Sequence, residues 1–177
     1  MDGARLGNAL VRMNVSPAEA TWKAGVDVLS LGATKGGAMG AEAVIFFDPK
    51  RGANMQDRRK RGGALLSKHR FIAAQMEAYL EGGLWLALAR HANDMADALA
   101  AGLTAAGAQP VWPVEANEVF APLTAEADKR LKAAGAMYYP WPSAGLNIGA
   151  GKILVRLVTS FQTTKEDVDK FLATMRA

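Results

Sequence analysis

Hydrophobic positions along the chain change spacing several times, and each change marks an element. From Ala4 to Met13, Leu6, Leu10 and Val11 fall on one stripe, which predicts a short helix. Ser16-Pro17-Ala18-Glu19 opens a second helix: serine caps, proline fits the first turn, and the glutamate closes a capping box. That helix is brief and ends before Gly25. Val26, Val28 and Leu29 are then β-formers, and Val44 to Phe47 is an apolar run too short for a helix. Between them lie Gly32, Gly36, Gly37 and Gly40, so the stretch reads strand, glycine-rich turn, strand. Asp48-Pro49 closes it, and Arg51 to Arg61 reads as a short polar helix before the loop at Gly62-Gly63.

Helical spacing returns with Phe71, Ile72, Gln75, Met76, Tyr79 and Leu80, and Gly82-Gly83 breaks it. A longer helix is predicted from about Leu84 to Leu103, with Trp85, Leu88, Ala89, Ala92, Met95, Ala96 and Leu99 on one face. Its alanine-rich stripe predicts close packing against another helix, and Met76, Met95 and Trp85 read as core fillers. Gly107 to Pro110 is a boundary. Beyond it the order is strand (Val114, Val119, Phe120), a helix capped by Thr124 and ended by Gly135, a short strand over Met137 to Trp141, and a clear strand alternating Ile153, Val155, Leu157. Thr163 with Glu166 is read as the capping box of a last helix whose stripe is Val168, Phe171 and Leu172. The fold class is α/β, with residues 1–107 followed by a small α+β lobe over 108–177.

Composition narrows the classes. Of 177 residues, 50% are hydrophobic, enough for a sizeable core and unlike a disordered chain. There are no cysteines, which excludes disulfides and cysteine-based zinc sites. His69 and His91 are too few and too far apart for a metal site. The net charge of +4 is concentrated between Lys50 and Arg61 and again at Lys68 and Arg70. That run lacks interleaved aromatics to stack bases, so it is read as a solvated face or one that draws anionic substrate, not as a nucleic-acid surface. No apolar run approaches the ~18 to 20 residues that span a bilayer, and no signal pattern opens the chain, so a cytoplasmic protein is expected.

Two residues stand out chemically. Lys35 lies in the glycine-rich turn, where crowding would strip solvent and lower its pKa, as an amine that attacks a carbonyl requires. The residues alone leave this open against a surface hairpin with a solvated lysine. A phosphate loop lacks its Gly-x4-Gly-Lys-Ser/Thr pattern, and the next segment reads as a strand rather than a helix. Arg156 stands inside an apolar strand, where a charge is costly unless paired, so it is either a structural ion pair or an anion site.

Ser30-Leu-Gly-Ala-Thr-Lys-Gly-Gly-Ala-Met-Gly40 resembles the cofactor-lysine segment of the low-specificity L-threonine aldolases, within the aspartate-aminotransferase-like pyridoxal-phosphate enzymes. Asp2-Gly-Ala-Arg5 is similar to that family's ring-contacting motif, and Arg58-Arg-Lys-Arg-Gly-Gly63 and Val155-Arg-Leu-Val-Thr-Ser-Phe161 extend the resemblance to nearly the whole chain. The resemblance implies a C-terminal half. Residues 1–107 would be part of a transferase-like large domain, residues 108–177 its small C-terminal domain, and the N-terminal half would carry the phosphate loop and the ring-stacking side chain.

It further implies pyridoxal 5'-phosphate as cofactor and Lys35 as the internal aldimine. Asp2 would pair with the pyridine nitrogen, Arg5 would lie on the O3' or phosphate side, and Thr34 would contact phosphate. Arg156 would bind the substrate carboxylate through its two-pronged donor face. Other readings of Asp2, Arg5 and Thr34 are a helix cap, a solvated arginine and an ordinary turn hydrogen bond. The implied activity is cleavage of L-threonine or L-allo-threonine to glycine and acetaldehyde. The alternatives are an incomplete fragment acting as a folding or interaction domain, another lyase or transferase on this cofactor, and a phosphate-binding module without covalent chemistry. Expected partners are a small amino-acid substrate and either further copies of the chain or the missing N-terminal half, with no nucleic acid, membrane or metal.

Overall fold

The computed structural model describes residues 1–177 and divides into two compact units, 1–89 and 90–177. In the first unit a three-stranded sheet has the order β1 (Asp2–Gly3), β2 (Val28–Gly32), β3 (Glu42–Phe46). Strands β2 and β3 are the predicted hairpin, antiparallel, with Leu29 opposite Ile45 and Leu31 opposite Ala43. Those residues turn one face inward, because alternate strand residues point to opposite sides. Leu29, Leu31 and Ile45 pack with Leu6 and Leu10 of α1 (Leu6–Met13) and with Tyr79 and Trp85.

Strand β1 runs parallel to β2, with Asp2 opposite Ser30 and Gly3 opposite Leu31. Gly3 is required there: a Cβ would stand 2.6 Å from Leu29 Cδ1 and 2.8 Å from the Ser30 carbonyl oxygen. Helix α2 (Pro17–Ala20) has the expected capping box, with Ser16 N–H donating to Glu19 Oε2 at 2.8 Å and Glu19 N–H to Ser16 Oγ at 3.3 Å. Helices α3 (Met55–Arg61) and α4 (Arg70–Leu80) follow, and α3 carries exposed arginines at 58, 59 and 61. The first turns of α5 (Leu84–Ala105) belong to this unit; the rest belongs to the second.

The second unit is an antiparallel sheet of order β4 (Glu118–Thr124), β6 (Lys152–Val158), β5 (Tyr139–Pro140), with α5, α6 (Ala125–Ala133) and α7 (Lys165–Arg176) on its apolar face. Leu103, Val119, Leu131, Val155 and Leu172 lie in that core. Helix α5 meets α7 closely at Gly102, beyond the alanine stripe read from the sequence, and a side chain there would run into Leu172. Two polar side chains bordering the core are paired. Thr159 Oγ1 donates to the Ala92 carbonyl at 2.7 Å, and Tyr138 donates to Asp128 Oδ1 at 2.9 Å. Burial and then that carboxylate push the Tyr138 phenol upward.

One cap differs from the sequence reading. Helix α7 is capped by Thr164 with Asp167, not by Thr163 with Glu166: Thr164 N–H donates to Asp167 Oδ2 at 2.9 Å and Asp167 N–H to Thr164 Oγ1 at 3.1 Å. Thr163 Oγ1 instead accepts the Ser160 N–H at 2.9 Å. Two adjacent threonines followed by two adjacent acids allow either frame, and the Ser160 turn takes Thr163 out of competition. Thr164→Ala should cost about 1 kcal/mol in urea unfolding, and Glu166→Gln less than about 0.5 kcal/mol. The Thr164 amide, and then its hydroxyl, hold the Asp167 carboxyl below the usual range. The stability this adds is full above about pH 4 and is lost as pH falls through the lowered value, so Asp167→Asn should remove that acid-dependent component.

Candidate functional site

Parallel strands share a direction, so their carboxyl ends lie on one edge of the sheet, where α/β folds place ligands. The pairing of Asp2–Gly3 with Ser30–Leu31 therefore brings Asp2 and Arg5 beside the turn that carries Thr34 and Lys35. Gly32 lets the two segments touch: a Cβ there would lie 3.2 Å from Ala4 Cα. Asp2 Oδ1 accepts the Ala4 N–H at 2.9 Å. This is a local turn and not a helix cap, since α1 begins at Leu6 with Arg5 at its N-cap. Asp2 is otherwise exposed.

The turn itself is a single helical turn, Thr34–Gly36. The crowding expected around Lys35 is absent: its side chain is exposed, because the glycines and alanines flanking it bring no bulk to cover it. The packing that fixes the turn is at its neighbours. Ala33 is fully buried, and Gly36 lies so close to the Tyr79 hydroxyl of α4 that no side chain fits there. Gln75, also on α4, accepts the Met39 N–H at 2.8 Å. Burial raises the Tyr79 phenol above its ordinary range.

Two participants were not singled out from the sequence. Glu42 Oε1 accepts the Thr34 hydroxyl at 3.1 Å, and its carboxylate fills the space that a side chain at Gly32 would need. Tyr79 read only as one position of a helical stripe; nothing in its local sequence marks it as the wall behind the lysine turn.

Arg156 belongs to the second unit. On β6, Val155 and Leu157 enter the core and Arg156 points to the opposite face, 30% exposed. Its Nη1 stands 3.6 Å from Glu118 Oε1, and the guanidinium lies over Trp141, 5.1 Å from the ring centroid. The strand's alternation thus turns the charge away from that core and toward an ion-pair partner, Glu118, although its Nε stays buried. The basic residues Arg58, Arg61 and Lys68 are exposed. His91 Nε2 lies 2.7 Å from the Thr163 carbonyl, a structural contact. No cluster of side chains able to hold a metal ion is present, and no helix is long and apolar enough to cross a membrane.

A family model described as beta-eliminating lyase matches residues 1–126. The chain is 40% identical over 179 residues to a low specificity L-threonine aldolase of a Pseudomonas species, a match taking in 100% of this chain and 49% of that protein. It is 42% identical over 146 residues to the low specificity L-threonine aldolase of Pseudomonas aeruginosa, covering 82% of this chain and 42% of that one. Among solved structures it is similar to Leishmania major threonine aldolase, with a TM-score of 0.86 and 30% identity over 99% of this chain and 50% of that chain. The chain spans about half the length of the curated relatives it matches.

Gly36→Ala should destabilise the first unit by about 1–3 kcal/mol by overpacking against Tyr79. The penalty should shrink when Tyr79 is also replaced by Leu, a coupling that a double-mutant cycle in chemical denaturation reads directly.

Proposed function

The chain belongs to the beta-eliminating lyase family, and on that premise we propose that it carries the lysine-bearing part of a pyridoxal-phosphate-dependent aldolase. The substrate would be L-threonine or L-allo-threonine, cleaved to glycine and acetaldehyde. The observation that carries this reading is the parallel β1–β2 pairing, which sets Asp2 and Lys35 at one sheet edge. The residues there fit the cofactor. The Lys35 amine is exposed and makes no ion pair, Asp2 is exposed beyond its turn contact, and the bare backbone at Gly32 leaves no side chain in the way.

In this reading Lys35 Nζ attaches the cofactor. Asp2 faces the pyridine nitrogen and favours its protonated form. Arg5 lies on the O3' or phosphate side. Thr34 contacts phosphate, and since a hydroxyl has one proton, it does so by turning away from Glu42. Arg156 holds the substrate carboxylate. Bound pyridoxal phosphate supplies an electron sink for the carbanion left when the Cα–Cβ bond breaks. Residues 1–107 are taken as part of the large domain and 108–177 as the small one.

The exposed apolar side chains of the first unit, Val44 on β3 with Leu65, Leu66 and Phe71, support a second element of the reading, association with further copies or with a separately supplied first half. Gel filtration should show a species larger than a monomer; a clean monomer would count against it.

Adding pyridoxal phosphate should produce a Schiff-base absorbance band in the wild type and none in Lys35→Ala. Binding that survives Lys35→Ala undiminished would favour a noncovalent phosphate module. Absence of the band in the wild type would mean that this chain alone does not capture the cofactor.

A further inference from the structure

Arg156 is held from several sides. Register places Phe120 of β4 and Tyr139 of β5 directly opposite it. Trp141 covers its guanidinium at 5.1 Å, and Trp141 is itself fixed: its backbone N–H donates to the Leu154 carbonyl at 2.8 Å and its ring meets Phe120 edge-on at 5.1 Å. A guanidinium stacked on an indole face keeps its plane while its edges stay open to acceptors.

The counter-ion stands farther off than a direct hydrogen bond. Glu118 Oε1 stands 3.6 Å from Nη1, within ion-pair range but beyond a hydrogen bond. Arg156 Nε is buried and has no hydrogen-bond partner. A guanidinium offers five N–H donors, and a buried donor left unmade is costly. The geometry is therefore that of a cation oriented by a ring, neutralised at a distance, and still short of acceptors.

We propose that Trp141 and Glu118 are positioning residues for Arg156: Trp141 sets the plane of the guanidinium, and Glu118 is a resting counter-ion that an incoming carboxylate displaces. This rests on the reading of Arg156 as the carboxylate site. Glu118 competes with the ligand for one cation, so neutralising it strengthens carboxylate binding, whereas a purely structural ion pair would leave binding unchanged or weakened. Trp141 acts through its ring, so another aromatic substitutes for it and an aliphatic of similar bulk does not.

The test follows the Arg156 Nε–Hε signal of the 177-residue chain by NMR, assigned by its loss in Arg156→Lys, during titration with acetate. The signal should move saturably. Glu118→Gln should tighten acetate binding about threefold, the scale of a partly exposed ion pair. Trp141→Leu should weaken it about threefold, and Trp141→Phe should recover most of that loss. No movement in the wild type would overturn the carboxylate reading of Arg156 and this proposal with it. Movement in the wild type with unchanged affinity in Glu118→Gln and Trp141→Leu would overturn the positioning roles and leave the carboxylate reading standing. Dispersion of the amide signals reports whether each variant is folded; should Trp141→Leu unfold, Glu118→Gln decides, and affinity that does not rise overturns the proposal.

Discussion

The first unit depends on one short parallel contact. Asp2–Gly3 against Ser30–Leu31 is a small amount of sheet, yet it sets which residues share an edge. Glycine makes it close. Gly3 packs directly on Leu29, and Gly32 admits Ala4. A side chain at either position would move the Asp2-to-Arg5 segment off the lysine turn, and the geometry behind the proposed chemistry would go with it. The turn in turn leans on α4 through Tyr79 and Gln75. The lysine is thus presented by a packed support while its own side chain stays exposed, which would suit the covalent role proposed for it.

The second unit solves a different problem with strand alternation. The apolar face of β6 contributes Val155 and Leu157 to a core closed by α5, α6 and α7. The opposite face carries Arg156 among rings, next to the buried Leu154. Burial of the first face holds the register, because a slip of one residue would drive the arginine into the core and put leucine outside. Stability and the placement of a charged group are here two consequences of one pattern.

Much of this was legible in the sequence, for identifiable reasons. The β2–β3 hairpin, α5 and the Ser16 capping box follow from spacing and local chemistry alone. The family resemblance drawn from Asp2-to-Arg5 and the Lys35 segment agrees with the family match over residues 1–126. What was hidden is long-range. Strand β1 is too short for any period to show, and its partner lies far along the chain. Glu42 and Tyr79 acquire their contacts with the lysine turn only through folding. The crowding imagined for Lys35 came from glycine density, but glycine density brings the backbone close and does not bury a long side chain. The α7 cap failed by one residue because the sequence offers two equivalent frames.

The most direct measurement is disulfide trapping of the β1–β2 register. The chain has no cysteine of its own, so any bridge in the double variant Asp2→Cys, Ser30→Cys is the engineered one. Residues paired across adjacent strands fall within the Cα separation of about 4.4–6.8 Å that a disulfide spans. The account expects rapid intramolecular bridging in this pair and little when Ser30→Cys is replaced by Val28→Cys. Bridging to Val28, or none at either position, would mean that Asp2 does not lie beside the lysine turn and would contradict the account at its base.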